Sequence, residues 1–107
     1  MTIEPGLDLH EWETRWQELQ ELAAEAPDET LPEIVRFVEQ MLRERRYDLD
    51  NPVVVEGEDR DIVADFLSAR EIADAVEAGA AEPEDVIVAL ENLREIYDYL
   101  VSDRRPP

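Results

Sequence analysis

The sequence has no cysteine and no lysine, one histidine, two serines and three glycines. Without cysteine, disulfide staples, zinc–thiolate sites, iron–sulfur clusters and cysteine nucleophiles are excluded together. The lone histidine, His10, leaves no second imidazole for a histidine-pair metal site or relay, and it reads as a surface residue at the start of a helix. Ser68 and Ser102 sit in no strand-turn-helix elbow, the setting a nucleophilic serine requires. Gly6, Gly57 and Gly79 are too scattered to assemble a P-loop or a dinucleotide fingerprint, so no cofactor is expected. No apolar run approaches the ~18 residues needed to span a bilayer, and the N-terminus has neither the basic nor the apolar region of a signal peptide. A soluble, cytoplasmic protein is expected.

What the chain has in excess is carboxylate. Its 107 residues carry 29 acidic and 10 basic side chains, a formal net charge of -19 and a pI near 4.1. So much charge of one sign opposes compaction unless counter-ions screen it. A hydrophobic content of 44% argues the other way and predicts a folded core inside an acidic shell. All ten basic residues are arginine, and acidic excess without lysine fits a salt-adapted cytoplasm, where a Debye length of roughly 3 Å at molar salt silences self-repulsion. An acidic protein from a GC-rich mesophile is the alternative. The length predicts one helical domain over residues 1–107, with frayed ends at about 1–7 and 102–107.

Apolar spacing predicts an all-α fold, a small bundle or orthogonal array of four to five amphipathic helices. Asp8 and Glu11 form a capping-box start, after which Leu9, Trp12, Trp16, Leu19, Ala23 and Ala26 recur every three or four residues until Pro27. A second helix is expected from Thr30, capped reciprocally by Glu33, to about Arg46. Its last turn collects Arg43, Arg45 and Arg46, where the negative end of the helix dipole favours cations. Residues 47–61 read as irregular, with at most one short extended segment at 53–55. A third helix is expected from about Asp59, broken at a fresh Ser68/Glu71 capping box into a fourth that ends at Gly79. The last opens at Pro83 with an apolar stripe of Val86, Leu90, Leu93, Tyr97 and Leu100.

With 29 carboxylates, some pair falls at catalytic separation by chance, so their abundance supports no acid–base site. The cluster Asp48, Asp50, Asn51, Glu56, Glu58, Asp59 and Asp61 fails the calcium-loop test, because Pro52 takes the fifth position and Val53 the glycine position. Loose cation condensation is expected there and no metal site. Trp12 and Trp16 lie one helical turn apart. They read as core rings packed on the second and last helices. The competing reading is an aromatic ledge, with Tyr97 and Leu100, that binds a partner. Arg43, Arg45 and Arg46 are read as a helix-end device, with phosphate contact as the alternative.

Residues 59–101 contain SAREIADAV, a link with Gly79, and PEDVIVALENLREIYDYL, which resemble the paired helices of a helix-turn-helix transcription regulator. The resemblance rests on apolar spacing and on the EIA element at Glu71 to Ala73. It implies DNA reading by the exposed face of the second helix. That face offers Glu84, Asp85, Val88, Glu91, Asn92 and Glu95 against Arg94, and repels phosphate. DNA contact would then fall to Arg43, Arg45, Arg46, Arg94, Arg104 and Arg105. The leading expectation is a non-enzymatic protein working through protein contacts, with a second copy of the chain as one candidate partner. A helix-turn-helix regulator and an acidic DNA mimic are the alternatives; nucleic-acid and membrane partners are not favoured.

Overall fold

In a computed structural model, residues 9–47, 49–50 and 57–102 are described. Four helices follow in order: α1 (Leu9–Glu25), α2 (Pro27–Glu44), α3 (Glu58–Glu77) and α4 (Pro83–Ser102). No strand occurs among the described residues. The extended segment expected at 53–55, the Asp8 cap and most of the two frayed ends lie outside them. Ser102 alone of the expected C-terminal tail is described, and it closes α4.

Two helix boundaries differ from the spacing argument. Pro27 does not merely stop α1; it opens α2 one residue later, at the first-turn position where a missing N–H costs nothing. Ala26 alone separates the helices. Its carbonyl accepts from the Thr30 amide at 3.0 Å and from Thr30 Oγ1 at 2.7 Å, so Thr30 is a buried brace inside α2 rather than its cap. Pro32, inside the helix, removes a bond to the Asp28 carbonyl, which lies in the exposed first turn where water can replace it.

The second difference is at Ser68. The expected break between a third and fourth helix is absent, and α3 runs unbroken from Glu58 to Glu77. Val63, Phe66, Ala69 and Ala73 form a continuous buried stripe through that point, with Ile62, Leu67, Ile72 and Val76 half-buried beside it. Tertiary burial of both halves on one face outweighs the local capping preference of an exposed serine.

Central in the bundle, α2 contacts each of the other three helices and buries Leu31, Ile34, Val35, Phe37, Val38, Met41 and Leu42. One hydrophobic cluster joins these to Trp12, Trp16 and Leu19 of α1, the α3 stripe, and Val86, Ala89, Leu93, Ile96, Tyr97 and Leu100 of α4. Leu49, in the segment after α2, is also buried in it.

Both α2 and α3 end in the same device. The Arg46 amide donates to Arg43 O and the Tyr47 amide to Leu42 O at 2.9 Å; the Gly79 amide donates to Val76 O and the Ala80 amide to Ala75 O at 2.8 Å. These are paired Schellman bonds around a left-handed residue, Arg46 at φ 67° and Gly79 at φ 72°.

Candidate interaction surface

The four residues of the competing partner-ledge reading lie in the chain's own core, where the first reading put Trp12 and Trp16. Trp12 is 5% exposed, Trp16 8%, Tyr97 5% and Leu100 1%. The Trp16 and Tyr97 rings stack with centroids 4.2 Å apart and planes 5° from parallel, and Phe37 lies 6.2 Å from Trp16 and 6.4 Å from Tyr97. Three helices are thus tied by three rings, an arrangement that leaves little surface for a partner. Burial raises the Tyr97 hydroxyl above its ordinary value, helped by the negative field of Glu13 and Asp98. The Trp12 indole N–H is buried without a hydrogen-bond partner among the described residues, while Arg45 lies over its ring at 5.9 Å.

The arginines expected to act together are engaged separately. Arg43 is held by Glu39 at 3.0 Å and by both carboxylate oxygens of Asp50 at 3.3 Å. These hydrogen bonds raise the Arg43 guanidinium and lower the Asp50 carboxyl relative to their ordinary values, with the Asp50 bond the larger cause. Arg45 covers Trp12, and Arg46 occupies the left-handed cap. A phosphate approaching Arg43 would have to displace two carboxylates.

His10 is exposed and lines a groove of about 390 Å³ between α1 and α2, with Glu11, Thr14, Arg15, Glu18, Phe37 and Gln40. A second depression of about 540 Å³ on α2 is lined by Arg36, Glu39, Gln40, Arg43 and Glu44. Arg15 pairs with Glu18 at 3.4 Å in the first, as Arg43 does with Glu39 in the second. Among the described residues, no group of three histidine, aspartate or glutamate side chains is placed to hold a metal ion. The acidic segment at 48–61 is only partly described.

Exposed apolar surface lies elsewhere. Three large hydrophobic side chains stand out among the described residues: Leu22 on α1, and Ile87 and Val88 side by side on α4, at 55% and 53% exposure. Helical geometry turns successive side chains by about 100°, so Ile87 and Val88 flank the outward line of α4 on which Glu84, Glu91 and Glu95 lie. None of these glutamates, nor Asp85 or Arg94, forms an ion pair among the described residues. The sequence reading named Val88 on this face but passed over Ile87. Its signal was available: Ile87 lies outside the buried stripe while being as apolar as anything within it.

Among the described residues, no helix is long and apolar enough to cross a membrane. Compared with known protein families, with curated proteins and with solved structures, the chain matches none.

Proposed function

We propose that this is a small non-enzymatic helical protein of a salt-adapted cytoplasm, acting through protein–protein contacts made by the outward face of α4. The observation that carries the reading is the adjacent exposed pair Ile87 and Val88, set among carboxylates that form no ion pair among the described residues, on a helix whose opposite face is fully packed. The contact residues in this reading are Ile87 and Val88, because Trp12 and Trp16 are buried in the core. The acidic shell supports the salt clause, because screening at high ionic strength removes the self-repulsion that the net charge of -19 imposes.

The helix-turn-helix reading draws less support. The element SAREIADAV forms most of the C-terminal half of a 20-residue helix rather than a short helix of its own, and α4 turns glutamates outward.

A photo-crosslinking residue placed at position 88, and at position 18 as a control, tests the reading in cells of the source. Specific crosslinked protein at position 88 and not at 18 is the expected result; equal labelling overturns it. Far-UV circular dichroism from low salt to molar potassium chloride tests the salt clause. Helix content should rise with salt, and full helicity at low salt removes that clause.

A further inference from the structure

We propose that the outward face of α4 docks a cationic amphipathic helix supplied by a partner protein. This rests on the interaction reading above and adds the chemistry of the partner. The argument is charge complementarity around an apolar anchor. Glu84, Glu91 and Glu95 form an outward row, Ile87 and Val88 flank it, and Arg94 is the one cation on this surface among the described residues. Neither α3 nor α4 forms an ion pair among the described residues, but only α4 joins its open carboxylates to exposed large hydrophobic side chains, and α3 has none of these among the described residues.

Three occupants compete for such a face. A second copy would set glutamate against glutamate in a contact that excludes water, where salt screens little and like charges cost energy. A nucleic acid would meet the same repulsion. A helix carrying Lys or Arg at spacings of three and four meets the row with opposite charge, while the aliphatic stems of those residues lie along Ile87 and Val88. The apolar pair supplies contact area, and the glutamates fix register and polarity. Leu22, the other exposed large hydrophobic side chain among the described residues, stands alone and offers no such pair.

Simple attraction between a polyanion and a polycation would also bind a basic peptide, so the test must separate the two. A fluorescent amphipathic peptide of Leu and Lys at helical spacing is titrated into the full-length protein, with circular dichroism confirming the fold of each variant. The double variant Ile87→Asp, Val88→Asp adds two negative charges while removing the anchor. Docking on this face predicts binding weaker by about tenfold or more; charge alone predicts binding equal or tighter, and that result overturns the proposal. Glu91→Gln with Glu95→Gln should weaken binding and flatten its salt dependence. Leu22→Asp should leave it unchanged, and an equal loss there overturns the assignment to α4.

Failure of the folded wild-type protein to bind the peptide overturns the cationic partner, whereas the interaction reading fails separately, by the absence of position-specific crosslinks at 88. Light scattering that finds a dimer, abolished by Ile87→Asp with Val88→Asp, overturns the cationic partner and gives the face to a second copy.

Discussion

The two helix pairs of the bundle, α1–α2 and α3–α4, solve the same problem with different materials. A single residue, Ala26, joins the first pair, whereas residues 78–82 join the second. The first pair is wedged by rings, Trp16 and Phe37 against Tyr97 of α4. Across α3 and into α4 the buried positions include Ala69, Ala73 and Ala89, whose small side chains let neighbouring helices approach closely. The contrast teaches that one core tolerates two packing regimes when the central helix α2 meets both. Stacked rings hold α1, whereas α3 combines the small Ala69 and Ala73 with Val63 and the fully buried Phe66.

The comparison breaks most sharply under exchange of size. Trp16→Ala empties the centre of the ring stack and should cost about 3–5 kcal/mol. Ala73→Leu, the opposite change in the other regime, forces extra volume into a position that is 3% exposed and should cost about 1–3 kcal/mol. Urea denaturation at one fixed salt concentration measures both. A Trp16→Ala cost no larger than that of Ala73→Leu would mean that the rings do not anchor α1.

The helix ends sharpen the same comparison at a smaller scale. Arg46 and Gly79 occupy equivalent left-handed positions in equivalent hydrogen-bond patterns, yet only one is glycine. A Cβ built at Gly79 meets nothing within 4 Å, so Gly79→Ala carries backbone strain without a steric clash. It should destabilise by about 1 kcal/mol, the scale of the left-handed penalty for an L-residue. Arg46→Gly relieves that penalty while giving entropy to the unfolded chain, and should stabilise by about 0.5 kcal/mol. Opposite signs are the check; destabilisation by Arg46→Gly would show that the side chain contributes more than its backbone strain costs.

How far the sequence reveals this bundle follows from the range of the forces involved. Helix identity was legible at Trp12, Trp16 and Leu19 and along the α4 stripe, because periodic burial is written into spacing. The Gly79 cap and the Pro83 start were legible for the same local reason. The α2 start was not. Thr30 with Glu33 has the form of a cap, but the buried Thr30 hydroxyl reaches back to Ala26, and only the close turn between α1 and α2 makes that bond available. The continuity of α3 through Ser68 and the burial of Leu49 beyond α2 are likewise decided by neighbours distant in sequence. Site residues suffered most. Aromatic and large apolar residues signal both cores and interfaces, so Trp12, Trp16, Tyr97 and Leu100 could be placed only by packing, whereas Val88 was legible on the outward face of α4 and Ile87, just off the apolar stripe, was not.

The smallest effect at neutral pH concerns the tyrosine that links the two helix pairs. Tyr97 sits on the Trp16 ring, and its hydroxyl is raised above the ordinary value first by burial and then by Glu13 and Asp98. A raised acid favours the protonated form in the folded state. Its contribution is therefore fully present below about pH 10, the unfolded tyrosine value, and is lost as pH rises through the folded value. Tyr97→Phe keeps the ring on Trp16 and removes the ionisation. At neutral pH its stability should lie close to that of the wild type. Above pH 10 the wild type should lose stability more steeply than the variant, as measured by denaturation at matched salt. Parallel loss in both would mean that the hydroxyl ionises without cost where it lies, and that the ring stack alone, not the exclusion of charge from it, joins α4 to the α1–α2 pair.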